Sequence, residues 1–320
     1  MDNIKKYLSL DLQRFEENFN NAVQSNVPLL DKIMTYIVKS KGKRVRPMFV
    51  LLSAKLFGEV SDTTYRAASL IELLHTATLV HDDVVDDANQ RRSMFSINAL
   101  WKNKIAVLVG DYLLSKGLLL SINNKDFTIL EILSTAVSDM SEGELLQIEK
   151  ARKLDITEEV YFDIISRKTA SLLASSCSAG AYSANNDTNQ AELMKQVGQK
   201  MGIAFQIKDD LFDYGNKDIG KPTGNDIKEK KMTLPLIYTL QNCDRATARK
   251  IKNIFKNENK NKEKISYIIE TVKKHKGIDY ANKVMMRYKN EALSLLSVVK
   301  ESEAKDHFID LINYTVDREY

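Results

Sequence analysis

Two acidic triads of identical spacing break into apolar sequence and limit what this chain can fold into: Asp82-Asp83-Val84-Val85-Asp86, extended by Asp87, and Asp209-Asp210-Leu211-Phe212-Asp213. In a helix of about 3.6 residues per turn, positions i, i+1 and i+4 fall near one face, so each triad crowds three like charges. Such crowding weakens the helix unless something positive neutralises it. Oxygen-only clusters suit a hard divalent cation, and Mg²⁺ takes only a carboxylate or two, completing its shell with water and phosphate. Asp82 and Asp209 lie 127 positions apart, so they do not belong to one calcium loop. One triad alone would read as a solvated acidic face. Here Glu72 is the sole charge from Ile71 to Val80, and Ile203-Ala204-Phe205 leads into the second triad. Carboxylates emerging from buried helices need partners, and two facing triads would make a metal-bridged diphosphate clamp.

The sequence between and around the triads is helical in pattern. Pro (4) and Gly (12) are scarce, and after Gly224 only Pro235 and Gly277 interrupt the chain, which predicts an all-α protein. Apolar periodicity predicts helices at 3–23, 29–39, 46–57, 62–87, 94–102, 105–122, 127–150, 157–183, 189–214, 232–241, 244–256, 262–275, 278–298 and 303–316. Thr157 before Glu158 and Glu159 is a helix start, with a capping hydroxyl and acids at the positive end. The stretch Asn257 to Glu263 is a polar loop. No Pro-, Gly- or Ser-rich linker marks a boundary, so residues 1–320 are expected to form a single domain.

Charge and cysteine usage narrow the class. The 47 basic residues nearly balance 43 acidic ones, and no aromatic-studded basic tract appears, so nucleic acid is not an expected partner. Cys177 and Cys243 offer neither metal spacing nor a disulfide framework, which fits two thiols in a reducing cytoplasm. Met1 to Lys6 opens an amphipathic helix and not a signal peptide. The most apolar window, Ile105 to Ile122, contains Asp111 and Lys116, so it is expected as a buried helix of a soluble protein and not as a transmembrane segment.

Cations accompany the acidic triads. Lys41-Gly42-Lys43-Arg44-Val45-Arg46-Pro47 packs four of them into a turn, with Pro47 placed to begin a helix. Arg91-Arg92 follows the first triad, and Gly220-Lys221-Pro222-Thr223-Gly224 follows the second. Arginine forks bind phosphate bidentately and lysine supplies a point charge. Two weaker patterns carry nothing. Glu72-Leu73-Leu74-His75 is half of a di-iron motif, but neither His275 nor His307 has a Glu three residues before it. Gly215 to Lys221 spells a P-loop start, yet Pro222 stands where a Ser or Thr is required.

Taken in order, these segments resemble the trans-isoprenyl diphosphate synthases, or polyprenyl synthases: Gly42 to Pro47, Leu73 to Asp87 with Arg91-Arg92, Lys168-Thr169, Phe205 to Asp213 with Gly220-Lys221, and Lys231 to Pro235. The resemblance covers at least residues 40–240. It implies an all-α single-domain bundle around a deep central cavity, with the triads facing across its mouth, and a homodimer. It implies that Asp82 and Asp86 hold two Mg²⁺ ions and Asp209 a third, with Asp83, Asp210 and Asp213 as secondary ligands or behind them. By the same resemblance Arg91, Lys168, Gln206, Lys221 and Lys231 hold the allylic diphosphate. Lys43, Arg46, His75 and Arg92 hold isopentenyl diphosphate, and Thr169 with the carbonyls near Lys168 faces the reacting carbon.

The implied activity is head-to-tail condensation of isopentenyl diphosphate with an allylic diphosphate, in which cations stabilise the departing diphosphate. A class I terpene cyclase differs in its second metal motif and lacks the Gly42–Pro47 segment, and a silent partner subunit would have lost aspartates. Product length is expected from the turn before Asp82. Ala77 and Thr78 are small, and Leu74 lies a further turn away, so a growing chain would pass them to reach a hexaprenyl-to-octaprenyl length. The alternatives are a farnesyl or geranylgeranyl product and an Ala77 that is small only to let two helices approach.

Overall fold

The computed structural model describes residues 1–40, 42–91, 94–153, 156–215 and 224–318. Helices dominate, as the scarcity of breakers requires. In chain order they are α1 (Asp2–Tyr7), α2 (Ser9–Val23), α3 (Pro28–Lys39), α4 (Val45–Lys55), α5 (Asp62–Val85), α6 (Ile97–Asn123), α7 (Phe127–Lys153), α8 (Glu158–Ile165), α9 (Ser171–Asn185), α10 (Thr188–Phe212), α11 (Asn225–Lys228), α12 (Leu234–Asn242), α13 (Arg245–Asn257), α14 (Lys262–Lys274), α15 (Gly277–Leu295) and α16 (Glu303–Asp317). A two-residue hairpin, β1 (Gln90–Arg91) with β2 (Met94–Phe95), is antiparallel, pairing Gln90 with Phe95 and Arg91 with Met94.

Several boundaries depart from the periodicity. The expected 3–23 helix breaks at Leu8, a fully buried residue between α1 and α2. The first residues of the expected 94–102 helix belong to β2, and α6 starts at Ile97, where Ser96 accepts from the Ala99 amide as its N-cap. Lys102 (φ 72, ψ 160) kinks α6 close to the expected break before residue 105. The expected 157–183 helix contains a π turn, Ser166–Ala170, between α8 and α9. Thr157 caps α8 as expected, accepting from the Val160 amide.

The chain divides into two compact units. The first comprises Met1–Val137, Ser175–Lys195 and Val299–Leu311. Within it α5 packs on α6, α4 and α2. The stripe Leu70, Leu74, Ala77 and His81 runs down α5, and α6 answers with glycines. A Cβ on Gly117 would sit 2.8 Å from Leu70 Cδ1, and one on Gly110 would overlap the His81 ring. Small residues thus bring the two helices into close approach. The outer face of α6 is different: Leu108, Leu118, Leu119 and Ile122 are exposed. The buried helix expected over 105–122 is therefore buried on one face only, because α5 covers one side of it. α6 is long and apolar enough to cross a membrane by length and composition, with a third of its apolar window buried.

The second unit comprises Ser138–Ala174, Gln196–Val298 and Ile312–Tyr320. Its core gathers Tyr161, Ile207, Tyr214, Leu234, Ile254, Phe255 and Ile268, among others. Here α12 packs on α15, α14 and α8, and α13 on α14. Glycines again set distances. A Cβ on Gly202 would stand 2.5 Å from Ala170 Cα, and one on Gly143 would stand 2.9 Å from the Lys168 amide, so both hug the π turn.

Candidate active site

Both aspartate triads sit at the C-terminal end of a helix. α5 ends at Val85, with Asp86 as its C-cap, and α10 ends at Phe212. Carbonyl dipoles make that end negative, and neither last turn holds a basic residue, so both places favour a cation. The structure then sorts the six carboxylates: one residue of helical rotation turns Asp83 and Asp210 inward from Asp82 and Asp209, and Asp213, beyond the end of α10, turns inward as well. Asp82, Asp86 and Asp209 are half-buried or exposed, while Asp83 (2%), Asp210 (5%) and Asp213 (8%) are buried.

In the first unit Asp83 turns inward onto Arg91. The guanidinium holds Asp83 Oδ1 from Nε and Nη2, each at 2.7 Å. The hairpin presents Arg91, and the end of α5 is fixed by the Asn98 amide on the Asp83 carbonyl (3.1 Å). Arg44 opens α4 in the left-handed region (φ 55) and reaches back to Glu72 Oε1 at 2.5 Å, both side chains largely buried. Its guanidinium lies over the Phe19 ring at 5.3 Å. Arg44, Glu72, Thr76, Asp83 and Arg91 line one cavity with Phe19, Tyr36 and Val80, about 560 Å³ of empty space. Lys43 is exposed, Arg46 half-buried, and His75 buried on α5. None of these three lines that cavity among the described residues. Ala77 is fully buried, Leu74 nearly so, and Thr78 half-buried. Arg92 lies outside the described residues, as does Lys41.

In the second unit the inward carboxylates have no guanidinium. Asp210 accepts from the Tyr161 hydroxyl (2.7 Å) and Gln206 Nε2 (2.9 Å). Burial pushes its pKa up to about 7 despite these donors. Asp213 accepts from the amides of Asn225 (2.7 Å) and Asp226 (3.1 Å), pinning the start of α11, and burial raises it too. Asp226 was not foreseen from sequence. It is pushed up to about 8 by burial and by the charges of Asp210 and Asp213. Gln206 also accepts from Thr169 Oγ1 (2.7 Å), so Thr169, Gln206, Asp210 and Tyr161 form one hydrogen-bonded chain. The π turn presents Lys168, which pairs with Glu144, while Lys231 pairs with Glu229 at 2.6 Å. Lys168, Thr169, Gln206, Asp210, Asp226 and Lys231 line a second cavity, about 770 Å³ of empty space. Lys221 and its Gly220–Thr223 loop lie outside the described residues.

Asp209 carries a contact that nothing in the sequence announced. Arg318, just beyond α16, pairs with Asp209 Oδ1, and its guanidinium stacks 4.0 Å from the Phe205 ring centroid and 5.5 Å from that of Phe212. Among the described residues no three His, Cys, Asp or Glu side chains converge into a preformed metal cage. The outward donors, Asp82, Asp86 and Asp209, are all carboxylate oxygens, and oxygen donors suit a hard divalent cation that completes its shell with water and phosphate.

Comparison with known proteins agrees with this chemistry. A family model described as Polyprenyl synthetase matches residues 27–272. The octaprenyl diphosphate synthase of Haemophilus influenzae is 32% identical over 322 residues, covering all of this chain and 98% of that one. A polyprenyl synthase from Caulobacter crescentus, solved with calcium and isoprenyl diphosphate, superposes with TM-score 0.91 at 29% identity, covering 100% and 98%. A geranylgeranyl pyrophosphate synthase from Bacteroides thetaiotaomicron superposes with TM-score 0.83 at 38% identity, covering 99% and 98%.

Proposed function

The chain belongs to the polyprenyl synthetase family, and from that premise we propose that it condenses isopentenyl diphosphate head-to-tail with an allylic diphosphate, with Mg²⁺, to build a long-chain all-trans polyprenyl diphosphate. One observation carries the reading: three outward carboxylates, Asp82, Asp86 and Asp209, stand at negative helix ends without a basic residue in the last turn. These three are the ligands for Mg²⁺, three ions in all. Bound there, Mg²⁺ would supply positive charge that stabilises a departing diphosphate, favouring ionisation of the allylic C–O bond.

The remaining roles follow from charge and placement. Lys168, Gln206 and Lys231, around the second cavity, hold the allylic diphosphate together with Lys221. Arg91 contributes one edge of its fork while Asp83 holds the other. Lys43, Arg46 and His75, with Arg92, hold isopentenyl diphosphate. Thr169 and the π-turn carbonyls next to Lys168 face the cationic carbon. The isopentenyl double bond attacks that carbon, a C–C bond forms, and the proton lost from the adduct goes to the released diphosphate. No protein base is needed. A cyclase would not need the Lys43–Arg46 segment, and a silent subunit would not keep both triads.

Product length is read from α5. Ala77 and Thr78 put no bulk one turn from Asp82, which supports a hexaprenyl-to-octaprenyl product over a geranylgeranyl one. The close α5–α6 approach gives Ala77 a competing reason to be small. Ala77→Phe separates the two: a shortened product with primer turnover retained places Ala77 on the chain's path, and an unchanged product removes it.

We read residues 1–320 as one catalytic domain, since the family match runs from 27 to 272 through both units. The exposed apolar face of α6 supports a homodimer, since exposed patches of this kind mark protein interfaces and closed two-fold pairs are the commonest assemblies. Light scattering near 36 kDa would exclude the dimer. The decisive experiment incubates the purified chain alone with farnesyl diphosphate, labelled isopentenyl diphosphate and Mg²⁺. Label appearing in products longer than geranylgeranyl, and lost on adding EDTA, is expected. No incorporation by the chain alone would overturn the proposed activity of this chain by itself and favour the alternative of a subunit that needs a non-catalytic partner.

A further inference from the structure

The positive charge of this chain is concentrated in one place. Residues 244–276 hold eleven lysines and arginines against four acids, a net of +7, whereas the whole chain carries +4, so everything else is net −3. Most of that charge lies on two packed helices of the second unit, α13 and α14. On α13 the order is geometric. Arg245, Arg249, Lys252 and Lys256 recur at i, i+4, i+7 and i+11, a single stripe about 16 Å long at 1.5 Å per residue. All four are exposed, while Ile251, Ile254 and Phe255 anchor the opposite face in the core. Within α13 no acid interrupts the stripe; Asp244 is spent as the N-cap, accepting from the Ala246 and Thr247 amides. On α14 and its end, Lys262, Lys273, Lys274 and Lys276 are exposed beside Glu263 and Glu270.

We propose that the α13–α14 face docks on the surface of an anionic lipid bilayer. A stripe of cations on an amphipathic helix matches a negative headgroup plane, and each basic group near such a surface strengthens partition by about fivefold. The face carries no large exposed apolar residue, so it lies on the headgroups and does not insert. The one aromatic beside it, Tyr267, is half-buried and capped by Lys250 at 3.8 Å, so the face lacks the stacking platform a single-stranded nucleic acid would use. Two hydrogen bonds tie the face to the segment after the second aspartate triad: Lys230 Nζ donates to the Lys256 carbonyl (2.8 Å) and Asn259 Nδ2 to the Lys228 carbonyl (2.5 Å). The reason for docking rests on the function proposed above, since a long prenyl diphosphate is itself a bilayer solute. The docking does not need turnover.

The test is sedimentation of the full chain, without substrate, with vesicles of phosphatidylglycerol and phosphatidylcholine (30:70) or of phosphatidylcholine alone, at 100 mM salt. Binding to the anionic vesicles, at least tenfold weaker to the neutral ones and falling as salt rises, is expected. The R249E/K252E/K256E variant should lose at least tenfold of that binding while its turnover in detergent stays within twofold of wild type; R249Q/K252Q/K256Q should fall between. No preference for the anionic vesicles overturns the proposal, as does equal binding by the charge-reversed variant. Binding to single-stranded RNA homopolymer at the same salt as tight as to the anionic vesicles overturns the choice of lipid. Inactivity in the assay above with vesicle binding intact would count against the enzyme reading alone.

Discussion

The same five-residue motif is built in two opposite ways in the two units. In the first, the inward carboxylate Asp83 brings its own cation, because the hairpin after α5 folds Arg91 onto it. In the second, Asp210 and Asp213 turn inward onto a phenol, an amide and two backbone N–H groups, none of which carries charge. Neutral donors offset part of the cost of burial, and Asp210 and Asp226 are left near 7 and 8. The buried carboxylate of the first site is held by a guanidinium, whereas those of the second are held by neutral donors, with Lys228 and Lys231 acting only from a distance on Asp213 and Asp226. A motif therefore fixes which side chains are available and says little about how their charge is balanced.

The strongest way to break the comparison is to remove an outward ligand from each site. Asp82→Ala and Asp209→Ala should each lower turnover by about a thousandfold or more, since each would remove a proposed ligand from the metal that stabilises the leaving diphosphate. Circular dichroism should be unchanged, because neither carboxylate is buried. Near-normal turnover in either variant would mean that the carboxylate removed does not serve the step.

Inward carboxylates sharpen the contrast in stability. Asp83→Asn leaves Arg91 beside a neutral amide and should cost about 2 kcal/mol in urea unfolding without metal, a figure lowered from that of a fully buried pair because Arg91 is about a third exposed. Asp210→Asn removes an uncompensated buried charge and keeps the oxygen that faces Tyr161, so it should change stability by less than about 0.5 kcal/mol. Equal losses would show that both sites are balanced alike.

The substrate contacts proposed for the two units differ as well. Lys43→Ala and Arg46→Ala, in the first, should raise KM for isopentenyl diphosphate about tenfold and that for the allylic primer little; a lost charge-assisted hydrogen bond is worth roughly 1.5 kcal/mol. Lys168→Ala, in the second, should do the reverse. Equal effects on both substrates would mean the cations are divided wrongly.

Much of this architecture is legible in the order of the residues. Scarce Pro and Gly, apolar periodicity and the two triads predict an all-α chain with two cation-seeking helix ends, because each is a property of spacing alone. What escapes such a reading depends on tertiary contact. Whether Asp83 points in or out turns on about 100° of helical rotation and on where the Arg91 hairpin lands, and a 94–102 helix read from periodicity hides that hairpin. Tyr161 and Asp226 reach Asp210 from 49 and 16 residues away, and Glu72, half of a metal motif by spacing, is occupied by Arg44. Gly224-Asn225-Asp226, following the second triad, is the signal that could have exposed Asp226.

Arg318 gives the second site a guanidinium on its outward carboxylate, and it sets the smallest and most specific effect. Its guanidinium sits on Asp209, the outward carboxylate, against the rings of Phe205 and Phe212, and its side chain is 16% exposed while that of Asp209 is 40% exposed. A metal ion bound at Asp209 must displace or share that partner. A half-exposed ion pair is worth about 1 kcal/mol or less, so Arg318→Ala should tighten Mg²⁺ binding by up to about fivefold in calorimetry without substrate. Arg318→Lys, which keeps the charge and loses the fork, should fall between. Coupling is reciprocal, so Mg²⁺ should loosen the C-terminal residues of the wild type, read as faster amide exchange after α16. The first site has no such contact, and in an Asp209→Ala background Arg318→Ala should leave the remaining Mg²⁺ affinity unchanged. If Arg318→Ala weakens Mg²⁺ binding instead, the arginine supports the metal site and does not compete for it, and the second site would then be neutralised from within, like the first.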